Sequence, residues 1–285
     1  MKITEIINSN KPSLSFEVFP PKTTDKFDGV MEAVERISEL SPSYMSVTYG
    51  AGGGTSKYTA EISERILKRG VTPLAHLTCI SSSRAEVRTL LEGLRSRGIE
   101  NILALRGDIP EGAGVSREYK YAYELITEIR EIGGFTVGGA CYPEGHPESV
   151  SSDADIDALK IKVDAGCEFL TTQMFFDNNI LYNFLYRLLR RGISVPVVAG
   201  VMPVTNAKQI KRIIDISGNR LPERFIRIVD RYGDNPAAMK QAGIAFATEQ
   251  IIDLYANGIN AVHVYSMNKP DVAAKIKENL SDIIA

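Results

Sequence analysis

Cysteine and histidine are both scarce in this 285-residue chain, with three of each. Cys79, Cys141 and Cys167 show no C-x-x-C spacing, and their odd number excludes a fully paired disulfide framework. Each lies in or just before an apolar stretch, where cysteine usually acts as a small buried hydrophobe. His76, His146 and His263 lack the i, i+4 or short-loop spacing of zinc ligands, so no metal site is expected. An excess of charge of one sign is missing too. The formal net charge is −2 and the pI about 6.0, which leaves no broad basic field for nucleic acid or an anionic membrane. Any anionic ligand must be met by a few placed cations. No apolar run approaches the roughly 20 residues that span a bilayer. The opening MKITEIINSNKP lacks the apolar core of a signal peptide. A soluble, cytoplasmic protein is the expectation.

What the chain does contain is rhythm. Short β-branched or aromatic runs alternate with amphipathic helical patterns every 30 residues or so, the size of a βαβ unit. The pattern predicts strands at Leu14–Phe19, Tyr44–Tyr49, Thr72–Cys79, Asn101–Asp108, Phe135–Tyr142, Phe169–Phe176, Val195–Met202 and Ala261–Met267. Between them lie single apolar stripes, such as Val87, Leu90, Leu91 and Leu94, or Leu181, Phe184, Leu185, Leu188 and Leu189. Gly70, Gly98, Gly133, Gly166 and Gly192 fall just past the helix ends, where a left-handed residue closes the last turn. Eight βα units with no composition break predict one closed (β/α)8 TIM barrel spanning residues 1–285 as a single catalytic domain. One irregularity interrupts them: an insertion at Asp215–Asn235, between units seven and eight, with a short extra helix at Pro222–Arg231. A closing helix is predicted over Val272–Ile283.

Barrels of this class keep their chemistry at the C-terminal ends of the strands, and capable residues gather there. Glu17 is flanked by Phe16, Val18 and Phe19, which predicts a poorly solvated carboxyl with a raised pKa, suited to a general acid. Pro20-Pro21 ends the strand just beyond it and so puts Glu17 at the mouth. The alternative is a strand-end glutamate paired with a neighbouring arginine. Arg106-Gly107-Asp108 offers a cation, an open backbone and a carboxylate at one strand end, or else an i, i+2 ion pair. Gly50–Thr55 follows a strand but carries Thr55 where a dinucleotide fingerprint needs its third glycine, so it reads as an active-site loop. Asp155 and Lys162 sit two turns apart on one helix face, able to grip an elongated ligand or simply to face solvent.

These pieces, in this order, resemble the methylenetetrahydrofolate reductase family. The matching strings are Ser15–Lys22, Ser46–Ala51, His76–Cys79, Ala104–Asp108, Tyr142–Glu144, Lys162–Gly166, Gln173 with Phe175–Asp177, and Pro203-Val204 before Asn206. The resemblance implies a barrel that uses FAD and a reduced nicotinamide, NAD(P)H, to convert 5,10-methylenetetrahydrofolate to 5-methyltetrahydrofolate by a ping-pong route. It implies Glu17 as the acid and Asp108 as the carboxylate stabilising the developing substrate cation. It implies FAD contacts at Thr48, Tyr49, Ala51, His76, Arg106, Gly107, Asp108, Tyr121, Tyr142, His146, Asp155 and Lys162. Folate would meet Gln173, Gln209 and Lys269. The chain departs from the better-studied bacterial pattern at Ile213, where an aromatic is usual, at Ile161 and Ala158, where arginine and asparagine are usual, and at Lys269, where arginine is common. Assembly into a homo-oligomer is expected, and an electron-transfer partner subunit stays open. Two other readings also stay open: a flavin-free TIM-barrel lyase or aldolase using Glu17, and an electron-accepting subunit of a larger complex.

Overall fold

Eight short strands run β1 Ser13–Val18, β2 Met45–Val47, β3 Pro73–Thr78, β4 Asn101–Leu105, β5 Thr136–Cys141, β6 Phe169–Thr172, β7 Val197–Val201 and β8 Ala261–Val264. This is a computed structural model, and it describes residues 1–21, 23–49, 56–109, 118–217 and 220–285. Each strand pairs in parallel with the next, and β1 pairs with β8, so the sheet closes into the expected (β/α)8 barrel. Around it stand α1 Ile3–Ile7, α2 Phe27–Ser38, α3 Ser56–Lys68, α4 Arg84–Ser96, α5 Ala122–Ile132, α6 Ser152–Asp164, α7 Asn178–Arg190, α8 Lys208–Ser217, α9 Glu223–Tyr232, α10 Pro236–Ala256 and α11 Pro270–Asn279.

Strand side chains alternate between two buried environments, which is why the strands read as nearly unbroken apolar runs. Phe16, Val18, Met45, Val47, Ala75, Leu77, Ile102 and Ala104 face outward and share a core with helix residues such as Val34, Ile37, Ile62, Val87 and Leu91. The inward residues nearest the strand starts, Tyr44, Leu74, Leu103, Phe169, Val198 and Ala261, pack on Ile3 and Ile7 of α1. That short helix plugs the barrel floor, and the Ile3 N–H donates to Asn101 Oδ1 at 2.9 Å. The sequence pattern did not predict it, although Ile3, Ile6 and Ile7 form an i, i+3, i+4 stripe.

All eight predicted strands are present, but most stop sooner than their apolar runs. The run Phe169–Phe176 pairs only through Thr172, and Asn101–Asp108 only through Leu105. Past Leu105 the chain emerges toward solvent at Asp108, whereas past Thr172 it leaves the ladder with Met174, Phe175 and Phe176 still buried, because neighbouring helices cover it. The Phe175 carbonyl accepts from Gln250 Nε2 of α10, and the Phe176 ring stacks on Phe225 of α9. Apolarity marks burial, and pairing is a narrower condition. All five glycines predicted to end helices have positive φ, from 69° to 108°.

The extra helix between units seven and eight is α9, displaced by one residue from the predicted Pro222–Arg231 because Pro222 serves as its N-cap. The insertion begins later than predicted, since α8 continues to Ser217. The closing helix also differs from the predicted Val272–Ile283. It begins at Pro270, where a proline in the first turn forfeits no hydrogen bond. It ends at Asn279, after which the Ile283 N–H closes a tighter turn onto the Leu280 carbonyl. Among the described residues, no helix is long and apolar enough to cross a membrane.

Candidate active site

Above the apolar floor the barrel interior turns polar. Strand alternation points Ser15 and Glu17 of β1, Ser46 of β2, His76 of β3 and His263 of β8 inward, and all five are buried. His263 bridges two strands, with Nδ1 2.7 Å from Ser15 Oγ and Nε2 2.9 Å from Ser46 Oγ. Ser46 in turn hydrogen-bonds the Glu17 carboxyl. The rim of β1 is tied to the loop after β8: Ser266 Oγ donates to the Glu17 carbonyl at 2.8 Å, and the Asn268 side chain bonds both the N–H and the carbonyl of Phe19.

Burial pushes the Glu17 carboxyl up to about 8, against a smaller lowering by the Ser46 hydrogen bond. The expected direction holds, but the expected cause is corrected. Phe16 and Val18 face the helices, so the desolvation comes from inside the barrel. The only ion-pair geometry at Glu17 among the described residues is with His76, whose Nε2 lies 3.7 Å from Oε2, so the arginine-paired alternative is not what forms. Burial also lowers His76 to about 3. Burial first and then His76 lower His263 to about 3. At neutral pH the interior therefore holds a protonated acid beside neutral imidazoles. A cationic His76 would have drawn the proton off Glu17.

The rim residues gather around the ends of β4, β5 and β8. Tyr265 is pushed well up by burial, then by Glu17, with Tyr142 among the smaller causes. Tyr142 is raised by burial and then by Asp108, so these groups sense one another's charge across the mouth. Arg106 grips Glu148 with both guanidinium arms, at 2.5 and 2.7 Å, and not Asp108, which corrects the i, i+2 ion-pair alternative. Asp108 itself is exposed. Gly107 has φ +88°, and a Cβ there would sit 3.0 Å from that of Thr78, so glycine is required twice over. Tyr142 meets the His146 ring edge-on at 4.6 Å. On α6, Asp155 is buried; burial raises its pKa, while a backbone hydrogen bond from His146 and the Lys162 charge oppose that. Lys162 Nζ donates to the Ala140 carbonyl at 2.6 Å, and burial lowers its pKa. A cleft of about 270 Å³ runs between Glu144 and Ser152 beside this cluster. The larger cavity, about 520 Å³, lies among Pro12–Phe16, Leu40–Ser43 and α11, at the strand starts and away from these groups.

Other expected residues are more dispersed. Thr48 and Tyr49 follow β2 and are half-buried. Ala51 and the rest of Gly50–Thr55 lie outside the described residues. The Tyr121 ring stacks on Tyr123 at 5.9 Å and is 45% exposed. Gln173 is half-buried at the end of β6, its Oε1 accepting from the Met174 N–H. Gln209 is half-buried in the first turn of α8. Lys269 caps α11 and donates to Thr205 Oγ1 at 2.8 Å. Of the departures, Ile213 joins Met174, Phe176, Val204 and Phe225 in a satellite core, whereas Ile161 and Ala158 face solvent on α6. The sequence pattern did not reveal the Ser15–His263–Ser46 layer or Glu148. The layer did leave a signal, because Ser13, Ser15 and Glu17 alternate with apolar residues on one strand.

The family model described as methylenetetrahydrofolate reductase matches residues 2–281. The chain belongs to that family, and with it to the oxidoreductases. The methylenetetrahydrofolate reductases it resembles include that of Escherichia coli, 36% identical over 94% of this chain and 90% of the relative. Another, from Pectobacterium carotovorum, is 35% identical over the same shares. Methylenetetrahydrofolate reductase (NADH) 1 of Arabidopsis thaliana is 35% identical over 98% of this chain but only 50% of its own length. Among solved structures, a Clostridium thermocellum protein that binds two copies of 5-methyl-5,6,7,8-tetrahydrofolic acid superposes with a TM-score of 0.65. It covers 99% of this chain at 14% identity, which speaks to the fold alone.

Proposed function

We propose that this methylenetetrahydrofolate reductase works through FAD, taking electrons from a reduced nicotinamide and delivering them to 5,10-methylenetetrahydrofolate to form 5-methyltetrahydrofolate. The observation that carries the reading is the buried, protonated Glu17 at the barrel mouth, an acid poised near neutral pH. When bound, FAD supplies the hydride relay between the two substrates.

The residues fit such a group. His76 Nε2 is buried without a hydrogen-bond partner and faces the barrel mouth beside Glu17. Gly107, with φ +88°, turns the chain after β4 so that Arg106 and Asp108 both stand at the rim. Arg106 and Lys162 are the cations for the pyrophosphate, beside a cleft that suits the adenosine half. Thr48, Tyr49, Ala51, Tyr121, Tyr142, His146 and Asp155 complete the cofactor contacts in this reading.

Glu17 holds its proton on the carboxyl and gives it to the folate nitrogen that departs as the five-membered ring opens. Ser46 then stabilises the carboxylate left behind. Asp108 lies where a positive charge develops on the substrate, lowering the barrier by charge complementarity. Gln173, Gln209 and Lys269 hold the folate, with Lys269 as the cation for its carboxylates. Burial of Glu17 keeps bulk water from competing for the proton.

An absorption spectrum of the purified protein tests the reading directly. A yellow protein whose flavin band bleaches with NADH or NADPH, and recovers on addition of methylenetetrahydrofolate, is the expected result. A protein that binds no FAD, even when it is supplied, overturns it.

A further inference from the structure

Arg106 is a sheltered rim guanidinium, with 22% of its side chain exposed, and it is fully engaged by a carboxylate. The two contacts to Glu148 use both terminal nitrogens in parallel, the geometry with which a guanidinium binds a carboxylate or a phosphate. The remaining nitrogen, Nε, donates to the Gly107 carbonyl at 3.2 Å, which fixes the plane of the fork. Glu148 is placed by its own short turn: Pro147 precedes it, and its N–H donates to His146 Nδ1 at 3.1 Å. Its carboxylate is held below the usual range, chiefly by the Arg106 bond. Yet Glu148 is itself 58% exposed, so its head group is held against solvent by Arg106 alone among the described contacts.

We propose that Glu148 is a stand-in anion, which occupies the Arg106 fork until a diphosphate displaces it. The inference rests on the FAD reading above. One fork cannot serve two bidentate anions in the same plane, so the cofactor's pyrophosphate must expel Glu148 before it gains Arg106. The exchange swaps one charge-assisted pair for another, so Arg106 is paired both before and after the diphosphate binds. It also makes the diphosphate bind more weakly than the bare fork would allow. Because the displaced partner is largely solvated, the penalty is that of an exposed ion pair, roughly 0.2–1 kcal/mol. That corresponds to roughly a 1.5- to 5-fold change in affinity.

The test uses protein stripped of flavin, with binding read by quenching of flavin fluorescence and not by turnover. Glu148→Gln and Glu148→Ala should each bind FAD about 1.5- to 5-fold more tightly than the parent chain. Riboflavin, which has no phosphate, should bind all three proteins equally. Unchanged or weaker FAD binding in both variants would overturn the proposal, since Glu148 would then be a bystander or a support for Arg106. Equal tightening toward riboflavin would overturn it too, because the effect would not belong to the phosphates. Failure of the parent chain to bind FAD at all would instead remove the cofactor reading on which the proposal stands.

Discussion

Replacing Glu17 with glutamine should make the protein more stable at neutral pH while crippling its chemistry. In the folded chain the carboxyl titrates at about 8, against 4.5 for an unperturbed glutamate. Between those values the native state keeps a proton that the unfolded chain has released. The unfolded state therefore binds fewer protons, and stability falls as pH rises through that window, by about 1.4 kcal/mol per unit. From about pH 5 to about pH 7.5, Glu17 thus removes roughly 3 kcal/mol of stability. Glutamine has nearly the same shape and no proton to lose, so Glu17→Gln escapes the loss. Urea unfolding of both proteins at the two pH values isolates the site, because every other titration is common to both. The advantage of the variant should be small at the lower pH and should grow by about 3 kcal/mol at the higher one. In the same variant the folate half-reaction should slow by about 10²- to 10⁴-fold, the usual worth of a general acid. Flavin reduction by nicotinamide should stay near normal. A stability difference that does not change with pH would refute the argument, since Glu17 would then be ionised and stabilised in the fold.

Ser46→Ala removes the one hydrogen bond that lowers the Glu17 pKa. The alkaline limb of the pH profile for folate turnover should move to higher pH, and an unmoved limb would show that Ser46 does not act on the acid. Gly243→Ala should destabilise by about 1–3 kcal/mol or more, read as a lower melting temperature. A Cβ there would lie 1.9 Å from the Val204 carbonyl oxygen, and a backbone atom cannot swing aside. An unchanged melting temperature would mean that α10 does not pack this closely against the loop after β7.

The barrel was legible because its two periods are both written in the chain. Leu181, Phe184 and Leu188 are buried on α7, where a 3.6-residue stripe predicts them, and Gly192 ends that helix with φ 69°. Strand ends were less legible. Phe175 and Phe176 look like strand residues because they are apolar and buried, yet Gln250 of α10 satisfies one and Phe225 of α9 packs on the other. A side chain's hydrophobicity records whether water is excluded, not which backbone does the excluding. The floor helix α1 was missed for a related reason. It is five residues long, too short to show more than one turn of its stripe.

At the site, the residues that point out of the mouth could be read from their position after each strand, but their partners could not. Arg106 lies two residues before Asp108 and pairs instead with Glu148, 42 residues on, because the loop after β5 folds back across the end of β4. The inner polar layer has the opposite logic. Ser46 and His263 are ordinary singly, each a lone polar residue in an apolar strand, and Ser15 is one of three alternating polar residues on β1. Closure of β1 onto β8 and β2 brings them into contact, and register decides which touch: Ser15 pairs opposite His263, and Glu17 opposite Ser46. The two ladders that join β1 to its neighbours therefore also assemble the acid's hydrogen-bonded support. Shifting β1 by a single residue would turn Glu17 toward the helices and Phe16 into the mouth. Fold and acid are thus set by the same two pairings. A variant that loosened the β1–β8 seam, such as Asn268→Ala at the Phe19 clamp, would be expected to disturb the Glu17 pKa before it disturbed the barrel. Carboxyl titration followed alongside thermal unfolding checks this, and a barrel that melts lower while Glu17 titrates unchanged would separate the two.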